Sequence, residues 1–187
     1  MDPRIRRTRQ LLQAALQRLL ETKSFESISV AEIADEATLN RATFYDHFSD
    51  KTALLEGLVS ARFQALLEQR KVVFDGGYAE AITGIIQAMC EYLTGLPTTE
   101  CAAHRRLETH FESALMSVVR GMLLAGMERS EGKMAVAPEL LAATISGAIY
   151  GGASEWARTA ERVSVEEAVR VIFWLIRPMV DSHPSTD

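Results

Sequence analysis

Residues 29–51 read SVAEIADEATLNRATFYDHFSDK, and the reading of this stretch decides the fold. Two short helical patterns lie in it, separated by a few polar residues. Ile33 and Ala34 on the first, and Ala42, Phe44 and Phe48 on the second, stand where they can be buried, which turns Arg41, Thr43, Tyr45 and His47 outward. That is the pattern of a helix-turn-helix, whose second helix is carried into the major groove of DNA. Cap chemistry marks each joint. Ser29 and Glu32 have the S-x-x-E spacing of a capping box, Asn40 suits the N-cap of a helix beginning at Arg41, and Ser49 or Asp50 suits that of a helix beginning near Lys51.

The run ATLNRATFYDHFSDK, residues 37–51, resembles the signature of the TetR family of bacterial transcriptional regulators. In that family the recognition helix ends in a Thr-Leu/Phe-Tyr-x-His-Phe run followed by a polar cap and a Lys. Here those positions are Thr43, Phe44, Tyr45, His47, Phe48 and Lys51, with Ile33 and Ala34 in register upstream. The resemblance implies an all-α protein in three parts: a three-helix DNA-binding head at 1–51, a connecting helix at 52–74, and a helical domain for ligand binding and dimerisation at 75–187. It also implies a DNA-facing set. Arg41 and Thr43 would meet base edges or nearby phosphates, Tyr45, His47 and Lys51 would meet phosphates, and Ser29 and Asn40 would touch phosphate while capping. One position departs from the pattern: Thr38 stands where the family most commonly has Gly. A β-branched residue in the left-handed conformation of such a turn costs roughly 1–2 kcal/mol, so the turn is either reshaped or strained.

With 187 residues and 48% hydrophobic content, the chain can bury a core without covalent staples. No apolar run reaches transmembrane length and the first residues lack a signal-peptide core, so a cytoplasmic protein is expected. Cys90 and Cys101 are too few for a disulfide framework and lack metal-type spacing, which makes reduced thiols the expectation. Charge is uneven. Residues 1–71 hold 11 Lys and Arg against 10 Asp and Glu, and the remainder 9 against 15, within a net charge of −5. Arg4, Arg6, Arg7 and Arg9 form the basic cluster beside the helix-turn-helix, placed to reach the DNA backbone or minor groove as an arm. The competing reading is a solvated tail.

Helical periodicity is expected over about 8–22, 51–73, 78–95, 100–130, 138–160 and 164–181, with Asp75-Gly76-Gly77 as the clearest boundary. Between Ala142 and Ala153 small residues crowd together, and Ala143, Gly147 and Gly151 share one face, which permits a close helix crossing. The last helical stretch is apolar almost all round from Val171 to Ile176 and needs a second surface. In the family the last two long helices pair across a two-fold axis, so Ala143, Gly147, Gly151, Ile172, Leu175 and Ile176 are expected at a homodimer interface. Met89, Cys90, Tyr92, Phe111, Leu115, Met116, Met122, Tyr150 and Trp156 offer apolar and aromatic surface with a few polar tips for a small-molecule effector. Plain core packing is the alternative for each of them. Cys101, His104 and Glu108 fall on one helical face and form a candidate metal or thiol sensor.

Catalysis is not expected, since there is no Gly-rich phosphate loop, nucleophile elbow or two-His zinc motif. Nothing calls for a cofactor. The function expected is a ligand-responsive regulator, most simply a homodimeric repressor released from a palindromic operator by an effector. A small-molecule binding protein or enzyme that keeps the head as a vestige is the reading from another class.

Overall fold

A computed structural model describes residues 2–74, 78–96, 107–129 and 136–180. Among these residues the protein is all-helical: α1 (Pro3–Leu20), a 3-10 turn (Phe25–Ser27), α2 (Val30–Glu36), α3 (Arg41–His47), α4 (Lys51–Gln69), α5 (Tyr78–Thr94), α6 (Glu108–Glu128), α7 (Pro138–Arg158) and α8 (Val165–Val180). No helix among them is long and apolar enough to cross a membrane. The chain forms two compact units, Met1–Ala61 with Leu96–Ala114, and Arg62–Gly95 with Leu115–Asp187.

The first unit is built around the underside of the helix-turn-helix. Leu12, Ala15, Leu16 and Leu20 form the buried face of α1, at intervals of three and four residues. Ile33 and Ala34 of α2, Phe44 of α3, Leu54 of α4, and Phe25, Ile28 and Phe48 from the intervening segments are buried in the same unit. Burial of a side chain such as Phe44 stabilises by about 1.5–3 kcal/mol. The helix starts follow local chemistry. Ser29 Oγ accepts from Glu32 N at 3.2 Å while Glu32 Oε2 accepts from Ser29 N at 2.9 Å, so both halves of the capping box form. Of the two candidates for the start of α4, Asp50 takes the role: its Oδ1 accepts from Thr52 N and Ala53 N, each at 2.8 Å. Helix α1 begins at Pro3, five residues before the expected start, because Asp2 Oδ1 accepts from Arg4 N at 2.8 Å and proline suits a first helical turn.

The turn after α2 carries its strain. Thr38 has φ of 57°, and the chain closes there with Thr38 N donating to Asp35 O and Leu39 N to Ala34 O, both at 2.9 Å. This is a Schellman cap with a β-branched residue at the position that favours glycine. A second such cap ends α4 on Lys71, at φ of 53°.

In the second unit α5 is the central element, burying Ile82, Ile85, Ile86, Ala88, Met89 and Cys90 completely and packing on α7 and α8. Two glycines accept the segment that follows α4. A Cβ at Gly84 would lie 3.0 Å from Val72, and one at Gly126 would lie 2.9 Å from the Phe74 ring. A third, Gly152, lets α7 and α8 approach, with Ile172 Cγ1 3.0 Å from where its Cβ would be.

Thr38→Gly is expected to stabilise the protein by about 0.5–1 kcal/mol, the relief of the left-handed penalty less the entropy glycine loses on folding. Urea denaturation read by circular dichroism measures this. A destabilised variant would mean that Thr38 makes contacts worth more than its strain.

Candidate nucleic-acid interface

Helix α3 is seven residues long, and its surroundings hold it in place. At its start Asn40 Oδ1 accepts from Ala42 N at 2.9 Å. Its underside is Phe44, fully buried, with the Phe48 ring centroid 6.1 Å away. At its end Arg9 donates from Nη1 to His47 O at 3.1 Å, and the Arg9 guanidinium carbon lies 4.2 Å from the Phe48 ring centroid. Arg9 thus occupies the carbonyl end of α3, where a cation is favoured, and ties α1 to it. Sequence reasoning placed Arg9 in a free basic arm and missed this role.

The expected DNA-facing residues separate into three groups. Arg41 and Tyr45 are exposed on α3, joined by a hydrogen bond from Arg41 Nη2 to Tyr45 Oη of 3.4 Å. Thr43 and His47 are half-buried on the flanks. Arg4, Arg6 and Arg7 are exposed, yet they lie on the first turns of α1 and form no flexible arm, since the Asp2 cap and Pro3 begin the helix ahead of them. Ser29 and Asn40 cap as expected, and the Ser29 hydroxyl additionally donates to Glu32 Oε2 at 2.8 Å.

Lys51 requires a correction. Its Nζ donates to Phe25 O, Glu26 O and Ile28 O at 2.9, 3.1 and 2.7 Å, and stands 4.8 Å from the Phe25 ring centroid. An ammonium has three N–H donors, and all three are spent on the carbonyls of the 3-10 turn. Lys51 therefore fastens the loop before α2 to the start of α4, and its side chain has no donor left for phosphate.

Electrostatics around the cap residues agree with their roles. Glu32 is held down to about 2, first by its hydrogen bond with Lys23 and then by the Ser29 N–H and hydroxyl. Because its folded value lies below the ordinary 4.5, its contribution is present above that pH and is lost as pH falls toward about 2. Asp50 is also lowered, first by the Ala53 N–H, with burial opposing; His110, whose Nδ1 lies 2.7 Å from Glu56 Oε1, lowers it least.

Most of the expected effector-binding residues are buried. Met89, Cys90 and Leu115 are fully buried, Phe111, Tyr92 and Tyr150 nearly so, and Met116 and Met122 half-buried. Burial pushes the Cys90 thiol up to about 11, which keeps it protonated and unreactive at neutral pH. Trp156 is half-buried: its Nε1 donates to Val163 O at 2.9 Å and the Arg162 guanidinium carbon lies 5.1 Å from its ring centroid, which fastens the turn between α7 and α8. An open cavity of about 680 Å³, bounded by Arg70 to Val73 and by one face of α5 from Ala79 to Gln87, shares no residue with the expected set. Cys101 and His104 of the candidate sensor lie outside the described residues.

The interface residues also divide. Ile172 and Ile176 are buried within their own unit, at 6% and 2% exposure, since that edge of α8 faces α5 and α7. Leu175 is 59% exposed, in company with Trp174 at 71%, Val171 at 46% and, on α7, Leu140 at 61%. Ala143 and Gly147 are partly exposed, and a Cβ on Gly151 would meet nothing within 4 Å.

Residues 11–58 match the family described as bacterial regulatory proteins, tetR family. Over 60 residues the chain is 38% identical to an uncharacterized HTH-type transcriptional regulator, YxbF, of Bacillus subtilis (strain 168), a match covering 32% of this chain and 16% of that protein. Over 75 residues it is 32% identical to the nucleoid occlusion factor SlmA of Shewanella sp. (strain W3-18-1), covering 40% of this chain and 38% of that one. The chain thus matches well under half the length of these relatives. Whole-chain likeness is to the fold of solved structures. The TetR family repressor AlkX of Dietzia sp. strain DQ12-45-1b superposes with a TM-score of 0.63 at 17% identity, covering 97% of this chain and 96% of that one. FadR of Thermus thermophilus, a transcriptional repressor in complex with lauroyl-CoA, gives 0.62 at 17% identity, with 96% of each chain covered.

Lys51→Met keeps the aliphatic stem and removes the three donated bonds, and should lower the stability of the first unit by about 2 kcal/mol. Hydrogen exchange at the amides of 25–36 reports it; unchanged protection there would show that the loop closes without the ammonium.

Proposed function

We propose, on the premise that residues 11–58 match the tetR family of bacterial regulatory proteins, that this chain is a TetR-family protein and a homodimeric, ligand-responsive transcriptional repressor. The observation that carries the reading is the exposed Arg41–Tyr45 pair on a short helix whose underside is sealed by Phe44. Nothing in the core requires Tyr45 to be tyrosine, since nearly half of it lies in solvent at 49% exposure. An aromatic with a hydroxyl and an adjacent guanidinium suit the edge of a groove.

In this reading α3 enters the major groove, and Arg4, Arg6 and Arg7 on the first turns of α1 meet the phosphates alongside. Residues 1–51 are then the head, 52–74 the connecting helix and 75–187 the ligand-binding and dimerisation domain, whereas the two compact units divide inside α4, after Ala61, with Leu96–Ala114 in the first. A second copy covers the face made by Val171, Trp174 and Leu175 of α8 with Leu140, Ala143, Gly147 and Gly151 of α7. Pairing matches the two-fold symmetry of a palindromic operator. An effector binds among the apolar side chains of the second unit and shifts the population toward an arrangement that fits the operator less well. Because FadR of Thermus thermophilus is bound to lauroyl-CoA, long-chain acyl-CoA is the first probe to try. The site of action would be the cytoplasm, and no catalytic step is assigned.

Two measurements test the proposal. Duplex binding followed by fluorescence anisotropy should weaken steeply with salt, and Tyr45→Ala should remove specific binding with the dimer retained; a variant that binds normally would sink the assignment of the head. Trp174→Glu combined with Leu175→Glu should give a monomer by light scattering with helix content unchanged. A persistent dimer would place the interface elsewhere.

A further inference from the structure

The outward face of α3 is narrower than its polar residues suggest. Arg41, Ala42, Tyr45 and Asp46 are exposed, whereas Thr43 and His47 are half-buried and Phe44 is sealed. At about 100° per residue Arg41 and Tyr45 stand along one edge of a single exposed arc, and Ala42 and Asp46 along the other.

Arg41 differs from two other arginines of the head in how it is engaged. Arg18 pairs with the Glu36 carboxylate at 2.6 Å, and Arg9 is taken up by the His47 carbonyl and the Phe48 ring. Arg41 instead meets the neutral Tyr45 hydroxyl at 3.4 Å, with its guanidinium carbon 5.8 Å from the Tyr45 ring centroid. That ring is itself set edge-on to the buried Phe44, with centroids 5.3 Å apart. The guanidinium is steered by its neighbour without being neutralised by it. A planar fork held in this way suits two acceptors lying side by side, and in the major groove O6 and N7 of guanine are such a pair.

Phosphate is the rival target for an arginine, and Asp46 argues against it. Asp46 bounds the far edge of the same exposed arc, and a carboxylate there is repelled by the backbone, so the arc as a whole gains little from a polyanion. Opposite charges at the two edges of one exposed arc discriminate between base edges instead, where a carboxylate accepts from the N4 amino group of cytosine.

We infer, resting on the DNA-binding reading above, that Arg41 is a specificity-determining residue of the head and reads one guanine in each half-site through a bidentate contact to O6 and N7.

The test is selection of bound sequences by the full-length protein from a randomised duplex pool at fixed salt, run for the natural chain and for Arg41→Gln. The natural chain should enrich one G·C pair at equal distances either side of the dyad, preferred roughly 5- to 150-fold over other pairs. In Arg41→Gln that column should flatten or change to A·T, the pair whose adenine glutamine recognises, with the other columns intact. Their survival also shows that the variant is folded. A G·C column that persists in Arg41→Gln, or a natural motif without one, overturns the inference alone. No enriched motif from the natural chain overturns the DNA-binding reading and this inference with it.

Discussion

A helix of seven residues has almost no stability of its own in water, because nucleation costs more than so few hydrogen bonds return. Every use proposed for α3 therefore depends on its being held from outside. Phe44 anchors its underside, Asn40 closes its amide end, and Arg9 closes its carbonyl end while lying over Phe48. Lys51 acts one step further away, stitching the 3-10 turn to the start of α4. The polar residues that present the outer surface are thus outnumbered by those that fix its angle.

The sequence made the burial pattern of the head legible because that pattern is local. Ile33, Ala34, Phe44 and Phe48 could be assigned inward from spacing alone, although Ala42, assigned inward with them, is exposed, and Ser29, Glu32 and Asn40 could be assigned as caps, since capping is a matter of three or four residues. Thr38 was legible for the same reason, and the strain that its chemistry foretold is present in its backbone. The beginning of α1 is local in the same way: Asp2-Pro3 is an ordinary helix start, and it sets the arginines that follow on a helix and not in an arm.

What could not be read were long side chains reaching distant parts of the chain. Arg9 contacts a carbonyl 38 residues away, and the Lys51 ammonium contacts carbonyls 23 to 26 residues away. Neither partner leaves a trace in periodicity, because a backbone carbonyl has no residue type. The small residues of α7 posed the same difficulty. Gly151 and Gly152 are adjacent and chemically identical, yet Gly152 admits Ile172 of the same chain while Gly151 faces open space. Only the direction of α8 separates them, and it likewise turns Ile172 and Ile176 inward and leaves Trp174 and Leu175 outside.

The segment leaving α4 carries a different kind of information. Val72 and Phe74 are two apart, and each is seated against a glycine, Gly84 on α5 and Gly126 on α6, while Val73 between them is 53% exposed. An extended strand presents alternate residues to one side, so this arrangement is a tenon in two mortises with its length fixed to the residue. One codon gained or lost between Val72 and Phe74 would leave the two pegs unable to seat together, so this stretch tolerates exchange of Val73 better than any change of length.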